Sequence, residues 1–406
     1  MGGLKVLKPF AKRYAVLVSA FFLSMVLIYC IPSSWIQGNV DRSLEVMEME
    51  GERPMYAFYR HTAIVDNHTD MAMYHGLIPN REEYNLIQKA VSINQYPRYW
   101  HGYQVVLRPL SVVFEVQELR YLGMLLFYLL FFISAWLVAK RAGLLRAVFY
   151  VLTVASAYLV VVTTCFQYLT TFYVLFGALI CLLTKTDTGR DRDVFLFFFS
   201  VGMIENFFDF LTYPIITLGI PLILLLWLRV RDGQSGFGGN FRLTFGASAS
   251  WGIGYALCWI SKWILATAAL GFESFWQTMT IARYRLQGNE EDPVDRLWML
   301  RRNLKAWMNV QDGGIITWSK VALLFALVML ALILSRKLRD RGRILACLPM
   351  LMVAAYPYLW YLVLANHSQI HFWYTYRAQL VTMFGLLMFG AGILRGKQEP
   401  GAPEEQ

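Results

Sequence analysis

Apolar stretches of about 20 residues, the length a helix needs to cross the hydrocarbon core of a bilayer, recur along most of the chain. They fall near 14–32, 120–139, 147–164, 168–184, 194–210, 213–229, 245–269, 318–335, 344–365 and 374–394. Such a chain has few ways to fold, because backbone polar groups in lipid must be bonded within their own segment. The pattern predicts an all-α polytopic membrane protein, a single transmembrane domain over residues 1–406 with about ten spans. Composition agrees: 57% of the residues are hydrophobic and 16% charged, against roughly 25% charged in soluble domains. The first run follows a basic start and has no small-residue cleavage site behind it, so it reads as a retained signal anchor.

Lysine and arginine predict the orientation. Lys5, Lys8, Lys12 and Arg13 precede the first run, and basic residues follow every even-numbered one: Lys140 and Arg141; Lys185, Arg190 and Arg192; Arg229 and Arg231; Arg336, Lys337, Arg339, Arg341 and Arg343; Arg395 and Lys397. Both termini are therefore expected in the cytoplasm. The net charge of +10 is topology signalling rather than a nucleic-acid face. The cytoplasmic loops are short and carry no P-loop or dinucleotide motif. Two long segments face outward, the first outer loop over 33–119 and the second over 270–317, and all six histidines fall on that side. The five cysteines lie in or beside apolar runs, where they act as small hydrophobes rather than as a disulfide framework.

Polar residues with chemical potential collect in the outer segments. The acidic stretch Asp41, Glu45, Glu48, Glu50 and Glu52 reads as a solvated helix face. Asp66 and Asp70, four apart around Asn67-His68-Thr69, would share one face of a helical turn. There, with His68 or His61, they could hold a divalent ion, or one could act as a general base. The competing reading is a helix N-cap at Asp66 or Thr69. Asn67 and Asn366 each open a glycosylation sequon. Further on, Arg98 and His101 stand in a run dense in tyrosine and tryptophan, followed by an apolar stretch over 105–114 interrupted by Arg108. That stretch suits an interfacial helix in the headgroup plane, and such residues suit either a phosphate or an aromatic anchoring belt.

Within the spans, Glu205, Asp209 and Lys262 are costly in lipid and need partners. They could pair with one another, or Lys262 could grip a buried phosphate. His367 and His371, four apart, precede a semi-buried Arg377 at one membrane edge. Arg283, Arg285, Arg296, Arg301, Arg302 and Lys305 in the second outer loop read as the charges of a solvated amphipathic helix.

A multispan chain with a long, acidic first outer loop and an interfacial helix before its second span resembles the GT-C class of glycosyltransferases. That class includes protein O-mannosyltransferases, oligosaccharyltransferases and lipid A aminoarabinose transferases. The segments 96–110 and 366–377 also look like those of bacterial membrane proteins with this layout. The resemblance implies an inverting enzyme that moves a sugar from a polyprenyl-phosphate donor to a cell-envelope glycan, lipid or protein. It implies a first-loop aspartate as catalyst, which points to Asp66 and then Asp70; Asp41 fits the usual distance from the first span but has no acidic neighbour. Arg98, His101, Arg108, Lys262, His367, His371 and Arg377 would face the donor phosphate, with a divalent ion as a candidate cofactor and membrane lipids as surroundings. Two other readings remain: a transporter or flippase for a lipid-linked or anionic substrate, marked by Lys262, Glu205 and Asp209, and a non-catalytic membrane scaffold.

Overall fold

The computed structural model describes residues 2–56, 61–79, 81, 83–93, 97–308, 330 and 341–393. The predicted span 318–335 (apart from Leu330), the basic residues Arg336, Lys337, Arg339, Arg395 and Lys397, and Tyr96 lie outside them. Among the described residues the chain is helical, with isolated β-bridges and no strand.

Helix α1 (Gly2–Ile28) leads into α2 (Ser33–Glu50). Helix α2 buries Ile36, Val40, Ser43 and Met47 at helical spacing and turns Asp41, Glu45 and Glu48 outward, as a solvated acidic face requires. Three short helices follow: α3 (Asn67–His75), α4 (Leu86–Ser92) and α5 (Gln104–Leu110). Helix α5 occupies the expected interfacial segment, with Val106 exposed and Arg108 turned inward.

The bundle then runs through α6 (Val116–Ala142), α7 (Leu144–Ala155), α8 (Leu159–Val162), α9 (Phe166–Thr184), α10 (Asp191–Phe208), α11 (Ile215–Arg231) and α12 (Phe237–Leu270). Helices α13 (Glu273–Gln287) and α14 (Arg296–Met308) form the second long connection. The chain ends through α15 (Arg341–Ala354), α16 (Tyr356–Val363), α17 (Ala365–Ile370), α18 (Phe372–Thr375) and α19 (Leu380–Ile393).

Six stretches among the described residues are long and apolar enough to cross a membrane: Leu7–Ile28, Val116–Ala142, Phe166–Thr184, Phe237–Leu270, Arg341–Val363 and Phe372–Ile393. Helices also cover the other predicted spans within the described residues, but these are shorter or interrupted. Helix α11, at 17 residues, is buried along most of its length, because apolar side chains on every face need neighbours all round. It packs against α9, α10, α12, α15 and α19 at the centre of the bundle.

The expected span 147–164 is split. Tyr158 takes a left-handed backbone (φ 64°), which ends α7 and frees the Ala157 carbonyl. That carbonyl accepts the Arg377 Nε at 2.9 Å and the Tyr376 hydroxyl at 3.3 Å, so the broken helix leaves no orphan there.

Helices α10 and α12 approach most closely at two glycines. A Cβ on Gly202 would lie 2.2 Å from the Trp251 carbonyl oxygen, and one on Gly254 2.2 Å from that of Phe199. Small residues at such a crossing let two backbones touch, which supplies the dispersion contact that holds helices together in lipid. All five cysteines are free thiols.

Candidate functional site

The site is assembled at the end of the bundle that carries the long connections. Asp66 is the N-cap of α3: its Oδ1 accepts the Thr69 N–H at 3.2 Å, and Oδ2 takes no hydrogen bond among the described residues. The expected N-cap and a carboxylate oxygen without a hydrogen bond therefore coexist in one buried residue. Asp70 is fully buried and faces elsewhere. It accepts the Phe166 and Gln167 N–H groups at 3.0 and 3.3 Å, the unpaired donors at the start of α9. Burial pushes its carboxyl up to about 7, against the opposing pull of Arg120 and those two donors.

Asn67 is buried between them. Its side chain donates to Glu50 and to the Gly51 carbonyl and accepts from Arg120, all at 3.0 Å. Arg120 completes the knot with an ion pair to Glu50 at 2.9 Å, tying α2 and α3 to α6. Asn366 is likewise buried and donates to the Tyr284 carbonyl. Neither sequon presents its asparagine to solvent.

A cationic group forms where α13, α17 and α18 meet. Arg285 Nη1 donates to His371 Nε2 at 2.8 Å, and His367 Nε2 lies 2.7 Å from the Leu211 carbonyl. The two imidazoles are 4.9 Å apart, and His371 stacks on Tyr374 at 5.1 Å. These partners set the tautomers. Facing a guanidinium, His371 Nε2 accepts and the proton sits on Nδ1; facing a carbonyl, His367 Nε2 donates and Nδ1 keeps its lone pair. Neither Nδ1 has a hydrogen-bond partner among the described residues, so the pair offers one free donor and one free acceptor. Burial, with Arg285 and Arg98 adding to it, pushes His367 down to about 3. Burial and the nearby His367 and Arg285 hold His371 well below its usual range. Both rings are neutral at neutral pH.

Arg98 is buried near this group and is held by α12, whose Trp259 and Trp263 indoles donate to its carbonyl at 2.7 and 3.2 Å. Its guanidinium lies over Tyr99 and within electrostatic reach of His367. His101 adjoins through Phe210, its ring 5.3 Å away. Two residues here carry left-handed backbones that side chains rarely adopt: His101 (φ 58°) and Leu211 (φ 69°). Each costs about 1–3 kcal/mol, and such strain concentrates at working sites. The strain at His101 is fixed by Gly102, whose N–H donates to the Phe207 carbonyl at 2.9 Å so closely that no Cβ would fit. The strain at Leu211 is fixed by Asp209, which accepts the Thr212 N–H at 3.0 Å and so folds the turn offering its carbonyl to His367. Asp66 and Arg285 both lie within electrostatic reach of Tyr374.

Arg98, His101, His367 and His371 are thus gathered together, and Asp66 lies within electrostatic reach of the Tyr374 on which His371 stacks; three other expected phosphate ligands are not in this group. Arg108 donates to the main-chain carbonyls of Ile28, Ile31 and Leu77, and holds the turn after α1. Lys262 donates to the Val91 carbonyl at 2.9 Å over the Trp100 ring, joining α12 to α4 rather than pairing with Glu205 or Asp209. Arg377 is sandwiched between Tyr168 and Tyr376, 4.5 and 4.8 Å from their rings, and bonds to Ala157. Asp70 is engaged by α9. Arg285 and Tyr374 were missed as site residues, because Arg285 sits in a run of charges with no pattern of its own. Among the described residues no three histidine, cysteine, aspartate or glutamate side chains converge to hold a metal ion, and Asp66 and Asp70 turn toward different helix ends.

An apolar groove of about 860 Å³ runs along α6, α9 and α10. Its upper end is bordered by Met73, Tyr103 and Phe166, next to α3 and His101, and its far end by Arg13, Lys185 and Asp187. Comparison with family models, with curated proteins and with solved structures finds no match to this chain.

Proposed function

We propose that the protein is a GT-C-type membrane glycosyltransferase that moves a sugar from a polyprenyl-phosphate donor to a cell-envelope acceptor. In this reading the chain crosses the membrane about ten times, both termini are cytoplasmic, and the site lies on the outer face. The observation that carries it is the Arg285–His371–His367 group, a guanidinium against two buried imidazoles whose Nδ1 atoms have no hydrogen-bond partner among the described residues. The largely apolar groove of about 860 Å³, bordered at its upper end by Tyr103, suits a hydrocarbon chain, and Arg285 with the neighbouring Arg98 suits a phosphate.

The chemistry follows from the side chains. The acceptor hydroxyl or amine attacks the anomeric carbon while its proton passes to Asp66. The carbon–oxygen bond to phosphate breaks, and its electron pair stays on the phosphate oxygen. Arg285, Arg98 and the Nδ1–H of His371 stabilise that charge, in a water-poor setting where such donors count most. Attack opposite the leaving group inverts the anomeric centre.

Glu205 supports the second reading, a transporter or flippase, because its buried carboxyl oxygens have no hydrogen-bond partner among the described residues. The test that separates the two uses purified protein, a polyprenyl-phosphate sugar and envelope acceptors. A transferase yields glycosylated acceptor and free polyprenyl phosphate, and Asp66→Asn abolishes the yield while still binding donor. Movement of intact donor across vesicles without any cleavage, unchanged in Asp66→Asn, would sink the transferase.

A further inference from the structure

A second, smaller cavity of about 210 Å³ opens at the same end of the bundle, between the turn after α3, α4 and the first turns of α13. Its polar wall includes Arg81, Lys89, Glu273 and Gln277, with Tyr29 and Tyr84 as aromatic surfaces. This volume lies below the range of about 300–1,000 Å³ typical of sites that enclose a whole drug-sized ligand. It suits a headgroup alone.

The rim tells where the rest of that ligand goes. Within one helical turn of Lys89, α4 exposes Leu86 and Ile87, and within one turn of Glu273 the chain exposes Phe272, just before α13, and Trp276. A cavity with charged groups in its wall and exposed apolar side chains within one helical turn of those groups is a setting for an amphiphile with its head inside and its chains outside. The charges define the head further. Arg81 is already braced, its Nη1 donating to the Tyr84 hydroxyl at 3.0 Å with its guanidinium over that ring. Among the described residues, two cations and one carboxylate line this small cavity, and they complement a phosphate joined to an ammonium. A second anion such as a free carboxylate would meet Glu273 unfavourably, and a quaternary ammonium would offer Glu273 no N–H.

We propose that this cavity binds the headgroup of a phosphoethanolamine lipid, with Arg81 and Lys89 on the phosphate, Glu273 on the ammonium, and the chains along Leu86, Ile87, Phe272 and Trp276. The site is separate from the Arg285–His371 group, so it stands or falls independently of the transferase reading.

Native mass spectrometry of the detergent-purified full chain tests it, with short-chain phosphatidylethanolamine, phosphatidylglycerol and phosphatidylcholine titrated singly. The wild type is expected to favour phosphatidylethanolamine by about tenfold, the scale of one hydrogen bond to a charged group. Glu273→Gln should remove that preference while keeping phosphatidylglycerol binding, and Arg81→Gln with Lys89→Gln should weaken both lipids. Glycerophosphoethanolamine, which lacks chains, should bind far more weakly than the lipid. These side chains are at the surface or cavity rim, so an unchanged melting midpoint is the folding control. Equal binding of the three lipids by the wild type, binding unaffected in all variants, or equal binding of the chain-free headgroup would overturn the proposal.

Discussion

Replacing Asp70 with asparagine should remove a specific part of the protein's pH-dependent stability. The Asp70 carboxyl is pushed from 3.8 up to about 7, chiefly by burial, although Arg120 and the first N–H groups of α9 favour its charged form. The folded chain therefore holds this proton more tightly than the unfolded chain does. Its contribution to stability is fully present below pH 3.8 and is lost as pH rises through about 7, since above that the folded protein must carry a charge away from water. The displacement corresponds to about 4 kcal/mol. For a chain of this length that is on the order of 5 °C in melting midpoint. His367 and His371 act in the opposite sense. Their folded forms resist protonation, so the stability they contribute is present above pH 6.5 and declines as pH falls toward the depressed value, about 3 for His367. The wild-type profile sums these opposed trends, and only its difference from Asp70→Asn isolates the carboxyl. Thermal unfolding in one detergent, followed by intrinsic tryptophan fluorescence from pH 4 to 8, is the assay. Relative to wild type, the variant should gain stability as pH rises from 4 to about 7 and level off above that. Parallel curves over the whole range would refute the reasoning.

The bundle makes two sharper demands. Gly202→Ala puts a Cβ 2.2 Å from the Trp251 carbonyl oxygen; α10 and α12 must separate, costing about 1–3 kcal/mol or more and lowering the monodisperse fraction on size exclusion, whereas Gly252→Ala, which meets nothing within 4 Å, should not. Arg120→Met strips the buried partner from Glu50 and Asn67 and should cost about 3–5 kcal/mol in unfolding. Adding Glu50→Gln should recover part of that loss, and a double variant no more stable than the single would contradict the pairing.

The apolar helices were legible because lipid makes run length the main variable, and that is written plainly in the chain. The polar face of α2 and the cap at Asp66 were legible for a similar reason, since each follows from local spacing. The break at Tyr158 was not, because nothing in 156–164 is proline or glycine; the tertiary reward from Arg377 and Tyr376 makes the strained backbone worthwhile. The site was visible in part. Arg98, His367 and His371 announced themselves by aromatic density and by spacing. Arg108, Lys262 and Arg377 did so equally well, because a buried cation that ties main-chain carbonyls or stacks on rings has the same sequence signature as one awaiting a phosphate. Arg285 had no signature at all: its importance arises from α13 folding back over His371, a contact made across 86 positions of sequence.

The most direct test of the central claim is donor binding at that contact. Wild type, Arg285→Ala, Asp66→Asn and Arg108→Lys would be heated in detergent with and without a polyprenyl-phosphate sugar, and the shift in melting midpoint compared. The donor should stabilise wild type, Asp66→Asn and Arg108→Lys, while Arg285→Ala should lose about tenfold or more in affinity, as expected for one charge-assisted hydrogen bond to phosphate. Full donor stabilisation of Arg285→Ala would contradict the assignment of this group as the phosphate site.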